Sequence, residues 1–107
     1  MKLEFDTSQY VENLRKNKNK YFHTFINKET LAAGVLVLQP GEKDTQTPHD
    51  FDEMYYVLKG DGYLKINKKD YHVSAGKAFF VQKDIEHYFF GNKKEIIVFY
   101  FFGGPDT

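Results

Sequence analysis

Apolar and polar positions change character at short intervals along this chain, and only one stretch repeats with helical spacing. Behind the capping residues Asp6, Thr7 and Ser8, the apolar Tyr10, Val11 and Leu14 recur at helical spacing, which predicts a short helix over about residues 7–16. The polar run Arg15-Lys16-Asn17-Lys18-Asn19-Lys20 then reads as a solvated connector. From Lys20 onward the pattern is that of short strands. Tyr21–Ile26 is aromatic and β-branched, and Thr30–Leu38 is apolar enough for a strand buried on both faces. Met54–Leu58, Tyr63–Ile66, Asp70–Val73, Ala78–Val81, His87–Phe90 and Ile96–Phe102 follow. Turn signals separate them: Pro40-Gly41, Gly60-Asp61-Gly62, the hairpin Asn67-Lys68-Lys69 and Ala75-Gly76. The tail from Gly103 to Thr107 reads as loose. About eight or nine short strands with no long helix between them exclude repeated βαβ crossovers and predict an all-β sandwich or barrel. A double-sheet jelly roll, with edges protected by closure, fits the length. Period alone leaves open whether Phe99 and Phe101, or Tyr100 and Phe102, face the interior.

Composition narrows the class without naming an activity. One hundred and seven residues make a single domain, residues 1–107, with one core and room for one pocket. Within it, residues 1–19 are the helix and connector, 20–102 the barrel and 103–107 the tail. Fifteen basic and fifteen acidic residues cancel, which gives no electrostatic case for nucleic acid or an anionic membrane. No apolar run approaches the roughly 20 residues of a membrane helix. Met1–Asp6 lacks the apolar stretch of a signal peptide, so a cytoplasmic location is the default expectation. The absence of cysteine excludes disulfides, thiolate nucleophiles and zinc–thiolate sites. Eleven Phe and eight Tyr, 18% of the chain, lean toward strands with a large aromatic core.

The lack of cysteine restricts any metal site to imidazole, carboxylate, amide and hydroxyl ligands. Of four histidines, His23 and His72 read as ordinary strand residues, His72 on a solvent-facing side with Asp70 and Ser74. His49 lies four residues before Glu53, and His87 opens a distant strand. Deprotonated imidazole and carboxylate are the ligands a divalent ion takes at about 2.0–2.2 Å. Alternation puts Tyr55 on the face of Glu53 and Phe89 on that of His87, as candidate pocket walls. Asp50 and Asp52 read as surface carboxylates.

The stretch from Gly41 to Gly60 resembles the first motif of the cupin superfamily: Gly, five residues, His-x-His, three or four residues, Glu, six residues, Gly. Gly41 opens it, Thr47 stands at the first His, His49 at the second, Glu53 at the Glu and Gly60 at the closing Gly. Asp-Glu-Met-Tyr-Tyr-Val-Leu-Lys-Gly, residues 52–60, looks like a cupin strand. The second motif is thinner. Gly76 and His87 match, while Gln82 stands at its Pro, Asp84 at its Gly and Gly91 at its Asn, with Asn92 one place late. The resemblance covers about residues 30–102 and implies a double-stranded β-helix (jelly-roll) barrel with a short N-terminal helix.

It also implies a divalent metal (Fe, Mn, Zn or Ni) held by His49, Glu53 and His87. Thr47 removes the fourth ligand. Gln46 or Thr47 is a candidate oxygen donor in its place. Strand alternation would put Thr47 with His49 and Gln46 on the opposite face, unless a bulge swaps them. Two functions are consistent with this. One is an enzyme acting on a small organic molecule, of dioxygenase or isomerase type. The other is a non-catalytic binding or sensing module. A homodimer paired through aromatic strands is expected.

Overall fold

The computed structural model describes residues 1–106, and Thr107 lies outside the described residues. The helix α1 runs Thr7–Lys16. The Asp6 carboxylate starts it by accepting from Gln9 N at 3.2 Å, which satisfies a first-turn donor. Its apolar side is Val11 and Leu14. Among the described residues eight strands follow: β1 (Phe22–Asn27), β2 (Ala32–Leu38), β3 (Glu53–Lys59), β4 (Asp61–Ile66), β5 (Lys69–Ser74), β6 (Ala78–Val81), β7 (His87–Phe90) and β8 (Ile96–Phe102). They form a five-stranded sheet ordered β1-β2-β8-β3-β6 and a three-stranded sheet ordered β5-β4-β7, with every pairing antiparallel. This is a jelly-roll sandwich, as the strand pattern predicts.

Two cores share the five-stranded sheet. Inside the barrel, Leu36, Leu38, Tyr55, Val57, Leu64, Phe89, Val98, Tyr100 and Phe102 pack from both sheets. On the outside, Val11 and Leu14 of α1 pack on Val35, Val37 and Ile97. That second cluster explains why every residue of β2 is buried. The last strand turns Tyr100 and Phe102 inward, and leaves Phe101 exposed on the outer face. Gly34 on β2 is required by close approach, since a Cβ there would run into the Tyr100 ring and the His23 carbonyl.

Two segments depart from expectation. Arg15, the chain's one arginine, is not a solvated connector residue. Its Nε and Nη2 clasp both carboxylate oxygens of Glu95 at 2.8 and 2.7 Å, and Nη1 reaches Glu12. The guanidinium, assisted by Gln39 and Lys59, pulls the Glu95 carboxyl down to about 2 against the upward push of its burial. This fork pins α1 to the turn before β8. Replacing Arg15 with Ala is expected to cost about 1 kcal/mol of unfolding free energy, allowing for the exposure of the arginine. Because the folded pKa is depressed, the cost is full above pH 4.5 and fades as pH falls toward 2, which urea titrations at several pH values would read.

As far as Asp106 the tail is also held rather than loose. Gly103 N donates to Asp52 O at 3.0 Å, and Asp106 N to Asn27 Oδ1 at 2.9 Å. Asn27 Nδ2 donates back to Asp106 O at 3.0 Å, and Thr24 Oγ1 donates to the Asp106 carboxylate.

Candidate metal centre

Three short segments bring the candidate ligands together. Glu53 is the first residue of β3, where Glu53, Tyr55 and Val57 alternate into the barrel. His87 is the first residue of β7, and alternates inward with Phe89. His49 comes from the connection between β2 and β3, and its carbonyl accepts from Asp84 N at 2.8 Å. One potential ligand atom from each of His49, Glu53 and His87 lies within 4.8 Å of the others. The His49 ring also packs on Phe102, with centroids 4.4 Å apart.

The electrostatics of this trio are unbalanced. His87 Nδ1 donates to Ile85 O at 2.9 Å, and a carbonyl can only accept. In the neutral ring, Nε2 therefore carries a lone pair, and it stands 3.1 Å from Glu53 Oε1. Both side chains are almost wholly buried, at 1% exposure. The contact is not aligned as a hydrogen bond, and neither Glu53 oxygen nor His87 Nε2 has a hydrogen-bond partner. Two inward-facing lone pairs with no proton between them require a cation, or a proton taken up by the pair. Burial pushes the Glu53 carboxyl above its usual range, with His87 pulling part of the way back. Burial lowers His87, but the Glu53 carboxylate and the Ile85 carbonyl more than offset it and leave the imidazole above its ordinary value. The donor set, two imidazoles and a carboxylate, fits a borderline divalent transition metal.

Gln46 and Thr47 are placed the other way round from strand alternation. Residues 39–52 form no strand, so period two does not apply there. Gln46 Oε1 turns inward, 3.2 Å from His49 Nε2, while Thr47 is exposed. Two ligands about 2.1 Å from one ion and set 90–110° apart stand about 3.0–3.4 Å from each other, so Gln46 Oε1 is spaced to join His49. Tyr55 is fully buried beneath the cluster, 5.9 Å from the His87 ring and 5.0 Å from Phe89 by centroids. Burial first, then the charges of Glu53 and Asp44, raise the Tyr55 phenol well above its usual value, so it remains a donor. A cavity of about 230 Å³ opens beside His49, lined by Tyr21, Phe22, Gln46, Thr47, Tyr100 and Asp106 among others. Tyr55 and Phe89 are not among the residues that line that cavity.

The remaining polar candidates are structural. His72 is exposed and pairs with Asp61 at 2.8 Å, and His23 packs against Tyr10 with centroids 4.7 Å apart. Asp50 and Asp52 are exposed, and Asp52 caps Lys83 N at 2.9 Å. Asn92 is buried and holds the turn before β8 by donating to Leu38 O and Lys94 O. Asp44 belongs to no motif, yet its carboxylate gathers donors from three segments around the cluster. Its only signal is a charge within the gap between Gly41 and Thr47.

The profile of the cupin domain matches residues 34–103, which takes in the whole cluster. The chain belongs to the cupin family. This cupin is 25% identical over 83 residues to an uncharacterized protein of Streptomyces coelicolor, covering 78% of this chain and 79% of that one. Among solved structures it is similar to an RmlC-like cupin of Methanocaldococcus jannaschii, with TM-score 0.73, 17% identity and 85% of each chain covered. It is also similar to the DMSP lyase DddQ of Ruegeria pomeroyi, with TM-score 0.71 and 17% identity over 78% of this chain and 46% of that one. KdgF of Halomonas superposes with TM-score 0.65 at 18% identity, over 79% of each chain. At such identities the likeness is one of fold.

The family frame also explains Asp84. It stands where the second motif has glycine, and its φ is +64°, the left-handed conformation glycine adopts freely. The backbone of the motif is kept and a side chain is strained to keep it. Asp84→Gly is expected to raise stability by about 0.5 kcal/mol, a Tm gain of about 2–4 °C by calorimetry.

Proposed function

We propose that this cupin binds a divalent transition metal through His49, Glu53 and His87, and acts on a small organic molecule entering by the cavity beside His49. The observation that carries it is the buried, unpartnered pair of Glu53 oxygens and His87 Nε2, which a cation would satisfy. A bound metal of this kind supplies Lewis-acid polarisation of a substrate oxygen, or a site for dioxygen and substrate together. The protein's own contribution is positional. Ile85 O fixes the His87 tautomer, Phe102 backs the His49 ring, and the aromatic floor of Tyr55 and Phe89 keeps the ligands dry.

The cavity, at about 230 Å³, is below the usual range for drug-sized ligands and suits a molecule of few heavy atoms. No Lys or Arg lines it, so an anionic substrate would have the metal as its only cationic anchor. A net charge of zero leaves nucleic acid outside this reading. Among the described residues no helix is long and apolar enough to cross a membrane.

A second reading, a non-catalytic binding module, is favoured by one observation. The titratable groups around the cavity are already engaged: Tyr21 donates to Asp44 at 3.0 Å, and Tyr100 and Asp106 both meet Thr24. Calorimetric titration with Fe(II), Mn(II), Ni(II) and Zn(II), with elemental analysis of the purified protein, tests the metal. No metal binding by wild type ends the first reading and leaves only the binding module. Binding that survives His49→Ala and His87→Ala removes the site from these residues. If metal is lost in His49→Ala while small-molecule affinity stays, the binding module is the better description.

We propose further that the protein is a homodimer through the outer face of the five-stranded sheet. There Met54 lies across from Phe80 on one side and Phe101 on the other, with Tyr56 and Leu58 along the same strand. Their exposures run from 40% to 56%, leaving roughly 400–500 Å² of apolar surface open. That is more than half of the roughly 800 Å² each partner contributes to a stable dimer. Light scattering is expected to give a dimer, and Phe80→Lys a monomer of unchanged fold. A monomeric wild type at 100 µM (roughly the concentration of weak dimers) removes the proposal.

A further inference from the structure

Asp44 lies in the connection between β2 and β3, and its carboxylate accepts four hydrogen bonds. Oδ1 receives Tyr21 Oη at 3.0 Å and Gln46 N at 3.2 Å. Oδ2 receives Gln46 Nε2 at 3.0 Å and Phe89 N at 2.9 Å. None of the four donors is a charged group, so this carboxylate serves as a hub of hydrogen bonds rather than as half of an ion pair.

The bond to Gln46 has a directional consequence. A carboxylate can only accept, so the Gln46 amide must present its nitrogen to Asp44. Reversing the amide would set two acceptor oxygens against each other. With the nitrogen held, Oε1 is left on the other side, 3.2 Å from His49 Nε2. Tyr55 Oη stands beside both ends of the amide, at 3.3 Å from Nε2 and 3.5 Å from Oε1, and so does not choose between them. Asp44 does. The same carboxylate fastens Phe89 N, two residues along β7 from His87, and Tyr21 just before β1. It thereby ties the loop that carries His49 to the strand that carries His87.

We propose that Asp44 is a positioning residue: by holding the Gln46 amide through its nitrogen, it presents Gln46 Oε1 as the oxygen donor that takes the place Thr47 leaves empty. The proposal rests on the reading of His49, Glu53 and His87 as metal ligands. Asp44 itself does not touch the ion. Its removal is therefore felt as a change in the ligand field and affinity, not as the loss of the site.

Cobalt(II) alone serves as the probe, because its visible d–d spectrum reports ligand number and type. Wild type, Asp44→Asn, Gln46→Ala and the double variant are titrated by calorimetry and absorption, with thermal melts of each metal-free protein. An asparagine side chain at this position can donate as well as accept, so it no longer dictates the amide. Asp44→Asn and Gln46→Ala are each expected to bind Co(II) about tenfold more weakly, the scale for partners that orient a ligand. Both are expected to show the same altered spectrum, and the double variant to bind no more weakly than Gln46→Ala. A wild-type spectrum in either single variant overturns the proposal, even if Asp44→Asn lowers the melting temperature. So do additive losses in the double variant. Should Asp44→Asn not fold, Gln46→Ala, which leaves the Tyr21 and Phe89 bonds in place, still decides whether Oε1 is a donor. A wild type that binds no Co(II) defeats the metal reading itself and this proposal with it, whereas normal Co(II) binding with silent variants defeats the proposal alone.

Discussion

Glu53→Gln is expected to weaken metal binding severely and, in the same molecule, to make the metal-free protein more stable at alkaline pH. The two effects have one cause. Glu53 is a carboxylate at 1% exposure whose oxygens have no hydrogen-bond partner, facing an imidazole nitrogen that also has none. Burial of that kind costs free energy unless a cation balances it. The amide introduced by the substitution has nearly the same shape as the carboxylate, but it can donate to the His87 Nε2 lone pair and it carries no charge. In urea unfolding at alkaline pH, where the pair has lost its proton, the metal-free variant should gain about 1–2 kcal/mol. Removing one of three strong ligands should weaken binding by more than the roughly 10–100-fold typical of an orienting partner. A metal-free Glu53→Gln protein less stable than wild type at that alkaline pH would show that the carboxylate is already satisfied without an ion or a proton, and would sink the idea.

The second large effect is a divergence of two stability curves with pH. Glu53 and His87 both have folded pKa values raised above their ordinary 4.5 and 6.5. A group raised in this way contributes stability that is full below its unfolded pKa and lost as pH rises through its folded one. The metal-free protein should therefore be most stable in acid and lose stability as pH rises through the raised folded values, as the protons held between the two side chains leave. Metal binds the deprotonated pair, so its benefit runs in the opposite direction. At a free metal concentration 100 times the Kd it contributes about 2.7 kcal/mol, or about 10–20 °C in Tm for a domain of this size. Calorimetric scans with and without metal should be close at pH 5 and far apart at pH 8. Equal shifts at both pH values would mean that the ion sits elsewhere.

Much of this architecture is legible in the order of residues because regular strands obey a strict period. Glu53, Tyr55 and Val57 alternate with Met54, Tyr56 and Leu58, and the first set is buried while the second is not. His87 and Phe89 follow the same rule on β7. Where the backbone is irregular the rule has nothing to act on. Gln46 and Thr47 exchanged their expected faces because residues 39–52 form no strand. Asp44 was invisible for a different reason. Its partners Tyr21 and Phe89 lie 23 and 45 residues away, and only the packed fold brings them to one carboxylate. Arg15 looked like one more charge in a polar run, yet its partner Glu95 is 80 residues away. Asp84 read as a departure from the family pattern, while its positive φ shows the pattern kept in the backbone.

The double burial of β2 divides the molecule into parts of unequal durability. Val35 and Val37 face α1, while Leu36 and Leu38 face the barrel, so the two clusters lie on opposite faces of the sheet and meet through the backbones of β2 and β8. The helix buries few residues and is fastened at its end by one guanidinium. It is therefore the unit that opens first, and its amides should exchange with deuterium well before those of β3 and β8. When it lifts, Val35, Val37 and Ile97 are bared on the sheet face that also carries Met54, Tyr56 and Phe101. The first sticky species on the way to aggregation would then be a barrel still intact around its ligands, with only its helix undone.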